Sequence, residues 1–235
     1  MTWAIMSGIL GNLTAYEAAL TDLQLERQKQ EIDALFILGD LVSLQGQNNA
    51  TIERIRSPKS FELTPGICLG WWEDQCLSLH ALGRTSEPTG LIDRYGITAT
   101  QTLWDAVDRS HVEWMRDLNF GLVELDCLLM HGTTLDIAEA ITPETSPLVA
   151  ADRLGRMGVR RMICGRPERA FHYQLSGSIQ SAIATLDHPQ TATRQVQLPP
   201  SWIACPGAIG AVPGQASYLL YHPGSDRLTF KTVAY

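Results

Sequence analysis

An α/β protein made of two packed sheets with helices outside is the fold class this 235-residue sequence predicts. In its first half, short apolar runs alternate with segments of helical period; in its second half, strand-like runs separated by turns dominate, and two sheets flanked by helices satisfy that order. Phe36-Ile37-Leu38-Gly39-Asp40-Leu41-Val42 adds a third observation. A short apolar run ending in glycine and a carboxylate reads as a buried parallel strand that delivers an acid to the sheet rim, where open α/β sheets place ligands and metals. Taken alone, Asp40 fits the N-cap of a following helix equally well.

Each element follows from local pattern. Trp3 to Ser7 is a short apolar strand. Asn12 and Thr14 offer helix starts, and Thr14 with Glu17 fits a capping box. Leu13, Tyr16, Leu20 and Leu23 recur at helical spacing, so the helix runs roughly to Gln30 with one buried face. Ala34 to Leu38 is the second strand, and the strand–helix–strand unit implies a parallel, right-handed crossover. A short helix carries Ile52 and Ile55. Gly66 to Leu69 is a third strand, ending at Gly70-Trp71-Trp72-Glu73-Asp74. Arg84 to Gly96, rich in Gly, Pro, Thr and Ser, reads as a surface loop. Thr100 to Leu118 is helical with a restart at Asp108 to Ser110. Val123–Leu125 and Cys127–Met130 form an antiparallel pair turning near Asp126. Leu148 to Met157 is a helix closed by Gly158, and Arg160 to Cys164 is a strand. Phe171–Ser176, Ile179–Leu186, Trp202–Cys205, Ser217–His222 and Leu228–Val233 complete the strands. No internal repeat is visible, and a single domain over residues 1–235 is expected.

Composition narrows the function classes. The net charge of −7 argues against a nucleic-acid backbone as partner. No apolar run approaches the roughly 18 residues of a membrane span, and Met1 to Met6 has neither the basic flank nor the cleavage site of a signal peptide. Cys68, Cys76, Cys127, Cys164 and Cys205 make an odd set without Cys-x-x-Cys spacing. They read as buried free thiols, which points to a reducing, cytoplasmic setting.

Strand-end motifs line up in order: Ser7-Gly8-Ile9-Leu10-Gly11-Asn12, Gly39-Asp40, Gly70-Trp71-Trp72-Glu73, His131-Gly132, and Gly165-Arg166-Pro167-Glu168-Arg169. Cys205-Pro206-Gly207-Ala208-Ile209-Gly210 follows as a further turn, and Ala216-Ser217-Tyr218 begins a strand. This series resembles the calcineurin-like metallophosphoesterases, in particular the compact bacterial type similar to the YfcE-like phosphodiesterases, over essentially the whole chain. That family reads Ser-Asp-x-His-Gly-Asn, Gly-Asp, Gly-Asn-His-Asp/Glu, His-Gly and Gly-His-Thr-His-Arg-Pro at these places. The resemblance implies a four-layer α/β/β/α sandwich of two mixed sheets, and a site in which two metals share a bridging carboxylate and a metal-bound hydroxide attacks phosphorus. Asp40 matches the bridging acid and His131 a second-metal ligand.

Most other ligand positions depart from the pattern. Gly8 stands where the first Asp belongs and Leu10 where the first His belongs. Trp71 replaces the Asn ligand, Trp72 the His that assists the leaving group, and Arg166 and Glu168 the last two His ligands. Glycine, leucine and tryptophan cannot ligate through their side chains, and arginine is a permanent cation. The expectation is therefore a degenerate, non-catalytic binding or regulatory protein with no cofactor, in which Arg166 neutralises Asp40. Its rivals are a phosphoesterase with a rebuilt one-metal or metal-free site, and a protein-interaction scaffold using the Arg84–Gly96 loop. A single manganese, magnesium or zinc ion would call on Asp40, His131 and Glu168. Arg166, Arg169 and Arg84 are candidates for binding a phosphate-containing small molecule. Trp71 and Trp72 fill the vacated volume or form a stacking platform. The oligomeric state stays open.

Overall fold

The computed structural model describes residues 1–83, 87–185 and 188–235. β1 (Trp3–Met6), α1 (Leu13–Lys29) and β2 (Ala34–Ile37) form the expected crossover, with β1 and β2 parallel from Trp3↔Ala34 to Met6↔Ile37. The α1 cap is Asn12, whose side chain accepts the Ala15 N–H. The Thr14–Glu17 capping box does not form, because the helix is already under way at Leu13 and Glu17 instead pairs with Arg54. Tyr16, Leu20 and Leu23 are buried as their spacing predicts.

α2 (Asn48–Arg56) buries Ile52 and Ile55, and β3 (Gly66–Ile67) pairs parallel with β2. The residues expected to trail from this strand instead open α3 (Trp71–Leu79). Part of the expected 84–96 loop is α4 (Thr89–Tyr95). α5 (Thr98–Ala106) and α6 (Arg109–Met115) reproduce the helix with its restart at Asp108. β4 (Gly121–Glu124) and β5 (Cys127–Met130) form the antiparallel pair, and α7 (Pro147–Gly155) precedes β6 (Arg161–Cys164). The strands expected at Phe171–Ser176 and Ile179–Leu186 run together as β7 (Phe171–Thr185), with a register shift between Leu175 and Gly177; Leu186 lies outside the described residues. Trp202–Cys205 is the end of β8 (His188–Cys205), and β9 (Gln215–His222) and β10 (Arg227–Ala234) close the chain.

Two five-stranded mixed sheets result, ordered β10-β9-β1-β2-β3 and β4-β5-β6-β8-β7. Strand alternation divides the core. Trp3 and Ile5 of β1 join Phe36, Cys127, Ile163, Trp202 and Tyr221 in a cluster drawn from both sheets. Ala4 and Met6 face the other way, into a cluster with α1, α2, α3, α5 and α6. α7 covers the outer face of the second sheet through Ala150 and Leu154, which pack with Leu128, Met162 and Ile203. The order is helices, sheet, sheet, helix, as expected. Edge-to-face contacts of Trp3 with Phe36 and Tyr221 and of Trp202 with Tyr221 fix the sheet-to-sheet seam. All five cysteines are buried and free.

Candidate functional site at the rim of the two sheets

The motif loops converge at the carboxyl ends of β1, β2, β5 and β6. Beyond the strands, β1 and β2 stay tied through Gly8 N–H to Gly39 O (3.1 Å), Leu10 N–H to Asp40 O (3.0 Å) and Gly11 N–H to Leu41 O (2.8 Å). Ser7 Oγ reaches the Leu38 and Gly165 carbonyls at 3.2 and 3.1 Å, fastening the rim of one sheet to that of the other. Gly39 is required twice over. Its φ is +73°, and a Cβ there would lie 2.4 Å from the Gly70 Cα. Asp40 follows it into the left-handed region at φ 54°, which Asp tolerates better than most residues.

Asp40 is 3% exposed and faces three groups. Its Oδ1 accepts the Trp72 N–H at 2.9 Å, so it does serve a helix start, that of α3. Its Oδ2 lies 3.4 Å from His131 Nε2 and 3.9 Å from an Arg166 guanidinium nitrogen. The expected Asp40–Arg166 pair is therefore present, longer than a hydrogen bond. Arg166 is placed from two sides. Its backbone N–H bonds the His131 carbonyl at 2.7 Å, and its guanidinium lies over the Trp71 ring, 4.9 Å from the centroid.

His131 is fully buried, with Nδ1 2.8 Å from the Leu38 carbonyl. A carbonyl only accepts, so Nδ1 carries the hydrogen and Nε2 faces Asp40. That Nε2 has no hydrogen-bond partner among the described residues. Burial holds the imidazole below its ordinary range, Asp40 pulling it up and Arg166 pushing it down.

Glu73, which drew no role from the sequence, is the most bonded carboxylate here. It is wholly buried and accepts the N–H groups of Asp40 (2.8 Å), Leu41 (2.8 Å), Val42 (3.3 Å) and Gly70 (2.9 Å). Burial pushes its carboxyl up to about 8, the Asp40 charge adds to that, and the backbone donors pull it back. Its signal was an acid in the first turn after a glycine, legible only once α3 is known to begin at Trp71.

At the remaining positions, Gly8 has φ +58° and a Cβ there would lie 2.9 Å from the Ala208 Cβ, so the family's carboxylate has no space. Leu10 lines an open cleft of about 530 Å³ together with Trp72, Tyr95 and Glu168. Trp71 and Trp72 are buried, edge to face at 4.8 Å. Glu168 and Arg169 are exposed, and Arg84 lies outside the described residues, so of the expected anion-binding trio the structure places Arg166 at the site. No group of three or more His, Cys, Asp or Glu side chains suited to a metal ion forms among the described residues, so Glu168 does not join Asp40 and His131. Cys205 donates to the Pro167 carbonyl, and burial pushes its thiol up to about 12, a structural role. Two residues the motifs do not contain complete the setting. Tyr95 packs against Trp72 at 5.1 Å, and Arg94 lies over the Tyr95 ring at 5.5 Å.

No protein-family model and no curated protein matches the chain. Solved structures do. A hypothetical protein from Pyrococcus horikoshii is 19% identical with a TM-score of 0.72, the alignment covering 100% of this chain and 88% of that one. A metallophosphoesterase from Sphaerobacter thermophilus is 20% identical with a TM-score of 0.66, covering 100% and 89%. A cold-active protein-tyrosine phosphatase of a psychrophilic Shewanella species is 15% identical with a TM-score of 0.50, covering 99% and 80%. The chain carries the calcineurin-like metallophosphoesterase fold, and identities at this level speak for the fold alone.

Proposed function

We propose that this chain, built on the metallophosphoesterase fold, binds a ligand at the sheet rim without hydrolysing a phosphoester. The observation that carries the reading is the Arg166 guanidinium, 3.9 Å from Asp40 Oδ2 and seated over Trp71. A two-metal centre needs a cluster of oxygen and nitrogen donors around the bridging acid. Here those positions offer Gly8, Leu10, Trp71 and Trp72 side chains without such donors, and a permanent cation stands beside Asp40 at the bridging position. The donor set does not fit the metals. The same arrangement supports a binding or regulatory role.

One observation favours a second reading. Nε2 of His131, without a hydrogen-bond partner among the described residues and 3.4 Å from Asp40 Oδ2, would suit a single small cation. One experiment separates the two. The purified protein is analysed for bound metal and assayed against an aryl phosphodiester with added manganese. The expected result is substoichiometric metal and no turnover above an Asp40→Ala control. Stoichiometric metal with hydrolysis that Asp40→Ala abolishes would establish the one-metal enzyme and end the binding-protein reading.

A further inference from the structure

The cleft above the site has a chemistry opposite to that of a phosphate pocket. No Lys or Arg is among the described residues that line it, and the one charged residue among them is Glu168. Arg166 faces Asp40 and Trp71 and Arg94 lies over the Tyr95 ring, so these two guanidiniums are already engaged with π faces, and Arg169, exposed next to Glu168, is not among the lining residues. Tyr95 packs against buried Trp72 yet keeps 40% of its surface exposed, which leaves an aromatic surface backed by a second ring. The rest of the wall includes Gln45 and Gln47, neutral amides that donate and accept. At about 530 Å³ the space is that of a small-molecule site.

Resting on the non-catalytic reading of this same cleft, we propose that it takes a planar heterocycle whose edge carries adjacent N–H donors: Tyr95, backed by Trp72, stacks the ring, and the Glu168 carboxylate accepts from its edge. A carboxylate is an acceptor-only group, so it selects ligands that present donors. Aromatic stacking tolerates many rings but requires a flat one. A cationic ligand would meet Arg94 at the aromatic wall, which favours a neutral ring. A ring N–H beside an exocyclic amino group, the edge shared by guanine nucleosides and pterins, meets both demands with two parallel bonds to one carboxylate.

The test is calorimetric titration of the full chain with guanosine, a pterin, inosine and inorganic phosphate. Guanosine or the pterin is expected to bind with Kd below about 1 mM, the tighter of the two identifying the source. Inosine, which lacks the amino group, should bind about tenfold more weakly than guanosine, and Glu168→Gln should weaken the better ligand by a similar factor. Tyr95→Leu should abolish binding. Both side chains are exposed, so the variants should keep the wild-type fold, verified by circular dichroism. Binding by neither heterocycle, inosine equal to guanosine, unchanged affinity in Glu168→Gln, or displacement by inorganic phosphate would each overturn the proposal. Failure here leaves the hydrolysis assay untouched, and turnover in that assay would remove the non-catalytic reading whether or not a heterocycle binds.

Discussion

Asp40 and Glu73 are interlocked: Glu73 Oε2 accepts the Asp40 N–H at 2.8 Å, and Asp40 Oδ1 accepts the N–H of Trp72, next to Glu73, at 2.9 Å. Two buried carboxyl groups thus share one helix start. The positive end of α3 and the run of amides at 40–42 make this tolerable.

Glu73 should govern part of the pH dependence of stability. Its folded carboxyl titrates at about 8, above its ordinary 4.5, chiefly through burial. The folded state therefore holds the proton more tightly than the unfolded state between those values. Its contribution is fully present below pH 4.5 and is lost as pH rises through 8. Urea melts of wild type and Glu73→Gln from pH 4 to 9 should show wild type losing stability relative to the variant over this window. Parallel curves would refute it. Glu73→Ala, which strands four backbone N–H groups, should cost about 3 kcal/mol or more at any pH in the range.

Arg166 should matter through Asp40. Arg166→Met leaves a buried carboxylate uncompensated. Because the pair is longer than a hydrogen bond, the expected loss is about 2–3 kcal/mol, below the 3–5 of a tightly bonded buried pair. Asp40→Asn combined with Arg166→Met should recover much of it in a double-mutant cycle. Additive losses in the two single variants would show that Arg166 acts through packing on Trp71 alone.

Gly8→Asp, which restores the family's residue, should not restore a metal site. The backbone is left-handed there and the Cβ meets Ala208 at 2.9 Å. The substitution should destabilise by about 1–3 kcal/mol. Ala208→Gly in the same chain should relieve the steric share, which thermal melts would resolve. Stoichiometric manganese bound by Gly8→Asp would contradict this account.

The sequence made the scaffold legible where periodicity was strong. The continuous apolar runs at Trp3–Met6 and Ala34–Ile37, and the helical spacing from Tyr16 to Leu23, translate directly into burial. The rim motifs likewise brought Asp40, His131 and Arg166 together. What remained hidden depended on where a helix begins. Trp71 and Trp72 look like the tail of a strand, so α3 and the amide-binding role of Glu73 could not be read. The Gly- and Pro-containing composition around Thr89–Tyr95 hid α4, and with it the placement of Tyr95 against Trp72. Glu168 was read toward Asp40 because it stands at a ligand position of the family motif and carries oxygen donors, yet it is exposed and lines the outer cleft.

The contact between Gly8 and Ala208 makes the departure from the metal-binding pattern hard to reverse. A carboxylate at position 8 must wait for position 208 to shrink, and a histidine at position 166 must first leave Asp40 without its neighbouring positive charge. Each step taken singly lowers stability before any ligand set is complete. A lineage carrying this arrangement is therefore steered toward new uses of the rim, with the older chemistry reachable only through several simultaneous changes.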